Sequence, residues 1–304
     1  MFIFAALSSY FLGALAVILD KFLLGSKRIS SAPVYSFYIG ISGLAVLVLI
    51  PFGFHIPSFF QIFLSLISGG MFSAGILFLY FAIQKGEASR VTPIVGAIIP
   101  LVTYFLSFVT SNEHFILVQI TGIILLVFGG LLISFDLPLK INQRKFALGF
   151  WDCVWAGILL ALAYFLFKFV YNEQTFLNGF VWTRIGAFLG VAAYLFVPNW
   201  RKDIFNSFKG FKKPKKEGYQ TGALFVTNKI IGGTGSVLLN FAISLGSVTI
   251  VNSLISSQYV FVLVLAFFAH KKYPFIFGEK LYFWDWAQKV GAIVLIGVGV
   301  VLIY

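Results

Sequence analysis

One cysteine, Cys153, is all the chain holds, so no disulfide, zinc knuckle or paired-thiol chemistry can form within it. Acids are also scarce: ten Asp and Glu stand against 22 Lys and Arg, and charged residues make up only 11% of the 304. Scattered this way, the acids form no cluster for a divalent ion of the kind a phosphoryl- or prenyl-transferase needs. The three histidines, His55, His114 and His270, stand far apart without ligand spacing, which leaves metal hydrolysis no candidate centre. No phosphate-binding glycine loop follows a strand-like run. Neither an enzymatic activity, nor a metal, nor a cofactor is therefore expected.

What the chain has in excess is apolar surface. At 60% hydrophobic, it cannot hide its side chains in a globular interior, and the surplus must face lipid. Apolar runs of about 20 residues, enough to cross a hydrocarbon core of about 30 Å, occur ten times. They cover 2–24, 33–54, 57–83, 91–111, 115–135, 148–171, 177–197, 220–244, 248–269 and 287–304. The first run lacks a basic leader and a cleavage site before Lys27, so it is expected to be a mature helix rather than a secretory signal.

The runs belong to a duplication. Gly75 to Val91, GILFLYFAIQKGEASRV, returns 160 positions later as GSVLLNFAISLGSVTIV, with identities that include Gly75/Gly235, Phe81/Phe241, Ala82/Ala242 and Gly86/Gly246. Ala14-Leu15-Ala16 and Lys21-Phe22 answer to Ala161-Leu162-Ala163 and Lys168-Phe169; Gln119, Gly122 and Gly130 answer to Gln288, Gly291 and Gly299. Each copy, 1–138 and 139–304, holds five runs, and an odd-numbered unit fused to itself places its second copy upside down. The expected fold is an all-α membrane protein of ten transmembrane helices in two inverted five-helix repeats, an arrangement typical of transporters.

Charge sets an orientation. Nineteen of the 22 basic residues fall in odd-numbered loops or their flanks; the exceptions, Lys168, Arg184 and Lys229, lie inside spans. By the positive-inside rule the odd loops are cytoplasmic and both termini outside, in a multi-pass plasma-membrane protein. The formal charge of +12 then reflects topology, and nucleic acid is not an expected partner. The basic loop at 199–219 places Ile204, Phe205, Phe208 and Phe211 at helical spacing among its lysines. Two readings stand for its 201–216 stretch: a surface helix on anionic lipid head groups, or a solvated linker suited by Pro214 and Gly218. A second copy of the chain is a further candidate partner.

FAIQKGEASRVTPIVGAIIPLV, Glu113, QITGIILLVFGGLLIS and the weaker echoes FAISLG, Trp182-Thr183-Arg184, Gly278-Glu279 and QKVGAIVLIGVGVVLI resemble the drug/metabolite transporter superfamily, specifically its EamA-like members. The resemblance covers nearly the whole chain. It implies ten helices in two inverted repeats, with a central path lined by the first four helices of each half. Two features depart from it. Loop two, PFGFHIPS, has no basic residue where such relatives carry them, so the charge rule inverts this chain relative to them, and Val260 stands where the first copy has Pro100.

An ionisable group inside a span is costly, about 2.5–3.5 kcal/mol at the centre on insertion scales, so each is a candidate site residue. Arg184, matching Tyr38 of the first copy, is either an anchor for a carboxylate or phosphate or an arginine snorkelling toward lipid phosphate or Glu173. Lys229 either binds substrate or pairs with Asp152; Lys168 and Lys21 read as interfacial snorkels, and Asp20 as an ionised surface acid. Gln258 and Tyr259, with Tyr38, Tyr104, Trp182 and Asn228, complete the candidate binding set. Pro93 and Pro100 could bend span four, and the pairs Gly69-Gly70 and Gly232-Gly233 could either interrupt helices at a site or let backbones pack closely. The expected function is a secondary transporter, export being the favoured direction, for a small anionic, zwitterionic or neutral metabolite by alternating access. Two other readings are a flippase for a lipid-linked intermediate, favoured by a lateral opening, and a non-transporting scaffold or sensor.

Overall fold

The structure is a computed structural model that describes residues 1–24, 31–85, 88–110, 115–134, 143–209, 216–272 and 283–303. Glu113, Phe211, Pro214 and Gly278-Glu279, and the side chains of Asp20 and Lys21, lie outside the described residues. Among the described residues all regular structure is helical: α1 (Phe2–Leu24), α2 (Ala32–Gly43), α3 (Phe59–Lys85), α4 (Ala88–Thr110), α5 (Leu117–Ser134), α6 (Gln143–Glu173), α7 (Phe176–Ala192), α8 (Pro198–Lys209), α9 (Lys216–Leu245), α10 (Val248–Ser253), α11 (Ile255–Lys272) and α12 (Phe283–Ile303).

Among the described residues, seven helical stretches are long and apolar enough to cross a membrane: Phe2–Leu19, Ala32–Phe52, Phe59–Lys85, Val91–Thr110, Gly149–Glu173, Phe176–Phe196 and Val248–Phe268. Two shorter apolar helices, Leu117–Leu132 and Ala287–Ile303, accompany them. Their lipid-facing character shows in the many exposed large apolar side chains, among them Phe4, Phe60, Phe105, Phe128 and Val301. The protein is membrane-embedded. α9 is long but not among the seven, because Asn228, Lys229, Thr234, Ser236 and Asn240 interrupt its apolar character.

Local sequence explains several breaks. Pro33 sits in the first turn of α2, where its missing N–H is no loss. After Gly43 the chain tightens into a 3₁₀ stretch, Leu44–Phe52, which ends at Gly53 with φ 128°, a conformation only glycine adopts without strain. α8 begins at Pro198 and buries Ile204 while Arg201, Lys202, Phe205 and Phe208 stay exposed. The helical spacing at 201–209 is therefore realised as an amphipathic helix, held to α2 by the Tyr38 and Ser207 hydroxyls, 2.9 Å apart.

By their contacts the long helices follow one another in a ring: α1, α9, α2, α7, α3, α6, α4, α5, α12, α11 and back to α1. Among the described residues, every neighbouring pair brings backbones together at several positions except α9 and α2, which meet through the Lys229 and Tyr35 side chains. Gly75 brings α3 against Leu160 of α6, and its counterpart Gly235 brings α9 against Ser9 and Leu12 of α1, where the Ser9 hydroxyl donates to the Gly235 carbonyl at 2.7 Å. Gly122 and Gly299 likewise let α5 and α12 touch backbone to backbone.

The α3–α7 contact is the tightest use of glycine. A Cβ on Gly69 would run into the Thr183 carbonyl oxygen, and one on Gly186 would lie 2.7 Å from the Leu66 Cα; Gly70 has open space beside it. α3 runs unbroken through Gly69-Gly70, and α9 through Gly232-Gly233. Gly69→Ala should lower the melting temperature in detergent, since overpacking costs about 1–3 kcal/mol. Gly70→Ala should leave it unchanged or raise it through a helix-propensity gain of up to ~1 kcal/mol. Equal melting temperatures for the two variants would contradict the close α3–α7 approach.

Candidate functional site

α7 carries Phe180, Arg184, Ala187 and Val191 along one face, and the glycines that draw α3 against it enclose Arg184 in the bundle. The residue is 7% exposed. Its guanidinium carbon lies 4.7 Å from the ring centre of Phe180, 5.0 Å from Phe72 and 6.0 Å from Phe167. Each such face contributes roughly 0.5–2 kcal/mol, which offsets part of the desolvation. One hydrogen bond is made, from Nη2 to the Ser236 hydroxyl of α9 at 3.3 Å. No carboxylate pairs with Arg184 among the described residues. Glu173, the sequence's other suggestion for its partner, is exposed at the end of α6.

Polar groups continue along α9. The Tyr171 hydroxyl donates to Asn240 Oδ1 at 2.9 Å, Asn240 Nδ2 donates to the Ser236 carbonyl at 2.8 Å, and Lys168 Nζ donates to the Ser244 carbonyl at 3.1 Å. Beside Arg184, a small pocket between α2, α3 and α7 is lined by Ser36, Ile39, Gly43, Phe72, Ile76 and Val191, among others. Ser36, one of its lining residues, is 1% exposed, and its hydroxyl is buried without a hydrogen-bond partner. A guanidinium is by its chemistry the side chain that pairs with a carboxylate or phosphate.

Lys229 lies seven residues before Ser236 on the same face of α9, roughly 10.5 Å away by helical rise. Its ammonium donates to the Tyr35 hydroxyl of α2 at 3.2 Å and stands 4.8 Å from that ring's centre. The expected Lys229–Asp152 pair is not formed. Asp152 instead takes Lys85 at 2.7 Å, because α3 packs along α6 and brings the last turn of one to the start of the other's apolar stretch. Asn228, beside Lys229, is buried.

The remaining candidates lie elsewhere, and none lines the Arg184 pocket. Gln258 rests against Gly13 of α1, and Tyr259 donates to the Thr92 carbonyl of α4 at 3.0 Å. Tyr104 stacks with Phe108 and Phe115, while Tyr38 holds α8. α4 continues as a helix through Pro93 and Pro100, whereas the second copy breaks at Leu254 between α10 and α11.

Trp182 belongs to a polar cap where α3 and α7 begin. It stacks on Phe54 and donates to the His55 carbonyl at 3.2 Å. Asn178, fully buried, accepts from the His55 backbone N–H at 3.0 Å and donates to Gln174 Oε1 at 2.7 Å; its Nδ2 also lies 3.3 Å from His55 Nε2. Gln174 Nε2 reaches Gln61 Oε1 at 3.3 Å. Ser36, Ser236 and the cap amides were not foreseen, since single serines and amides near span ends carry no distinguishing pattern.

No family model matches the chain. An uncharacterized protein of Methanocaldococcus jannaschii is 39% identical over 70 residues, which are 23% of this chain and 50% of that protein. The match thus spans half the length of that relative. A solved crystal structure of a protein is similar over 98% of this chain and 93% of its own, with a TM-score of 0.67 at 13% identity. At that identity the likeness concerns the fold alone.

Removing the Asn178 side chain leaves the buried Gln174 Oε1 without its donor, at about 1–3 kcal/mol, and frees the His55 backbone N–H to water. Asn178→Ala should therefore speed amide exchange across 53–58 and lower the melting temperature. Unchanged exchange there would mean the cap does not hold the start of α3 to α7.

Proposed function

We propose that this protein is a secondary transporter of a small organic anion or zwitterion, with Arg184 as the anchor for its acidic group. The observation that carries the reading is a guanidinium buried among aromatic rings with no carboxylate beside it among the described residues. A cation placed in the bundle for stability alone would be expected to carry its counter-charge in the chain. Here the counter-charge would arrive with the substrate.

Helix pairing supports the finer architecture, ten spans in two inverted repeats. If the fifth-run helices of each half are α5 and α12, then α3–α6 and α9–α1 are matching pairs, as are α4–α6 and the α1 contacts with α10 and α11. The α3–α7 pair has no counterpart of like closeness, since its match would be α9–α2. Inverted repeats in which one interface is sealed and its twin is parted suit alternating access, because exchanging the two closes one entrance and opens the other. On the charge rule the odd loops face the cytoplasm of a plasma-membrane protein. The exposed Arg201 and Lys202 of α8, beside exposed Phe205 and Phe208, suit contact with anionic head groups.

Purified protein in liposomes loaded with a mixture of cellular organic acids and amino acids should release at least one of them faster than protein-free liposomes, as read by mass spectrometry. Losing charge-assisted hydrogen bonds worth about 1.5–3 kcal/mol, Arg184→Gln should slow that flux by at least ~10-fold, with Arg184→Lys in between. Flux of every solute at the wild-type rate in Arg184→Gln would end the anchor reading.

A further inference from the structure

Gly40 of α2, Ser73 of α3 and Val191 of α7 are among the residues that line the pocket beside Arg184. Val191 belongs at the same time to an apolar cluster that takes Phe37 from α2, Leu77 from α3 and the fully buried Ile204 from α8. The 3₁₀ turn Ala193–Phe196 continues α7, and its Tyr194 hydroxyl donates to the Ser73 carbonyl at 2.9 Å. The Tyr194 ring also meets Trp200 of α8, with ring centres 5.6 Å apart. Trp200 lies 6.0 Å from Phe81 of α3, and Phe208 lies 5.6 Å from Tyr38 of α2, ring centre to ring centre. With the contact between the Tyr38 and Ser207 hydroxyls, α8 is joined by its own side chains to α2, to α3 and to the turn that continues α7.

The other side of α8 is made for a different medium. At about 100° of rotation per residue, Trp200 and Ser207 stay within about 60° of the inward Ile204. Phe208, Arg201, Phe205 and Lys202 follow in one rotational sense, at about 40°, 60°, 100° and 160°, and all four are exposed. Asp203 points about 100° in the opposite sense, which keeps the acid off the aromatic and basic flank. α8 starts at Pro198, directly after the apolar stretch Phe176–Phe196, and so stands at the edge of the bilayer. A helix of this pattern lies in the interface, rings toward the acyl chains and cations among the head groups. Neutral lipid would satisfy the rings alone, whereas an anionic surface also attracts Arg201 and Lys202. We infer that an anionic bilayer surface, held by Arg201, Lys202 and Phe205, presses α8 onto α2, α3 and the end of α7 and so braces the pocket they line. The inference rests on the head-group contact proposed above for α8 and adds what that contact does to the pocket. It does not depend on what Arg184 binds.

The test compares amide hydrogen exchange of the full chain in two kinds of nanodisc, phosphatidylcholine alone and phosphatidylcholine mixed with phosphatidylglycerol. A basic residue at a charged surface is worth roughly 5-fold in such an equilibrium, so exchange across 198–209 should slow by at least ~5-fold in the anionic discs. Residues 32–43 of α2 should slow with it. Residues 117–134 of α5, which packs against α4, α11 and α12, should exchange alike in both. The Arg201→Gln/Lys202→Gln variant should abolish both differences, and Phe205→Ser should reduce them. Lys202→Gln alone replaces the double variant if the latter does not run as a single species in gel filtration. Slowing of 198–209 without 32–43 overturns the brace and leaves the head-group contact standing. No slowing at 198–209, a difference that the charge variant retains, or equal slowing of 117–134 removes both. Inorganic phosphate that protects 198–209 in phosphatidylcholine discs as well as the anionic lipid does overturns the bilayer as the partner.

Discussion

A positive charge inside a membrane bundle must be satisfied from somewhere, and around Arg184 the packing is arranged to hold one without an acid. Glycines at 69, 186 and 190 bring α3 and α7 into contact, and that contact closes Phe72, Phe167 and Phe180 around the guanidinium. Aromatic faces attract the cation yet cannot neutralise it, and the single hydrogen bond to Ser236 leaves most of its five N–H donors to other company. The polar run on α9 lies beside the same arrangement, with Ser236 taking the guanidinium's one hydrogen bond and Asn240 taking the Tyr171 hydroxyl. The cap of Asn178, Gln174 and His55 then fixes the start of α7, and with it the register that points Arg184 inward.

The sequence match between Gly75–Val91 and Gly235–Val251 makes one difference informative. At the spacing of 160 that relates Gly75 to Gly235, Gly69 answers to Lys229. One copy thus has no side chain where its helix meets a neighbour, and the other has the longest aliphatic cation available. Gly69 permits contact between α3 and α7; Lys229 spans the distance between α9 and α2 and reaches Tyr35. The difference between the two contacts is therefore written into the residues: one helix pair meets backbone to backbone and the other through a long side chain.

Much of this was legible in the sequence, and the limits are physical. Apolar run length located the helices, because crossing hydrocarbon demands continuous apolar chain, and the repeated glycines marked close packing, because only glycine admits a neighbour's backbone. The helical spacing of Ile204, Phe205 and Phe208 gave α8 its amphipathic face. Arg184 stood out because charge is rare in spans. Pairing was harder: Asp152 was one of very few acids near a span that could answer Lys229, yet α3 lies along α6 and brings Lys85 to it. Trp182, Tyr104, Tyr259 and Gln258 were chosen by depth, and depth along a helix leaves the direction around it open. Rotation sent each of them to an interface of its own.

The central claim is that Arg184 is retained against the interest of the empty fold. Replacing a buried ion by an apolar residue of similar volume is often neutral or stabilising by about 1–4 kcal/mol, whereas deleting a member of a structural pair destabilises. The melting temperature of Arg184→Met, purified without added substrate, is the most direct measure. The account predicts that it equals or exceeds that of the wild type, as methionine fills the space between the phenylalanine rings with no charge to desolvate. A clear fall would show that the guanidinium holds the bundle together, and would contradict the assignment of its free donors to a passing anion.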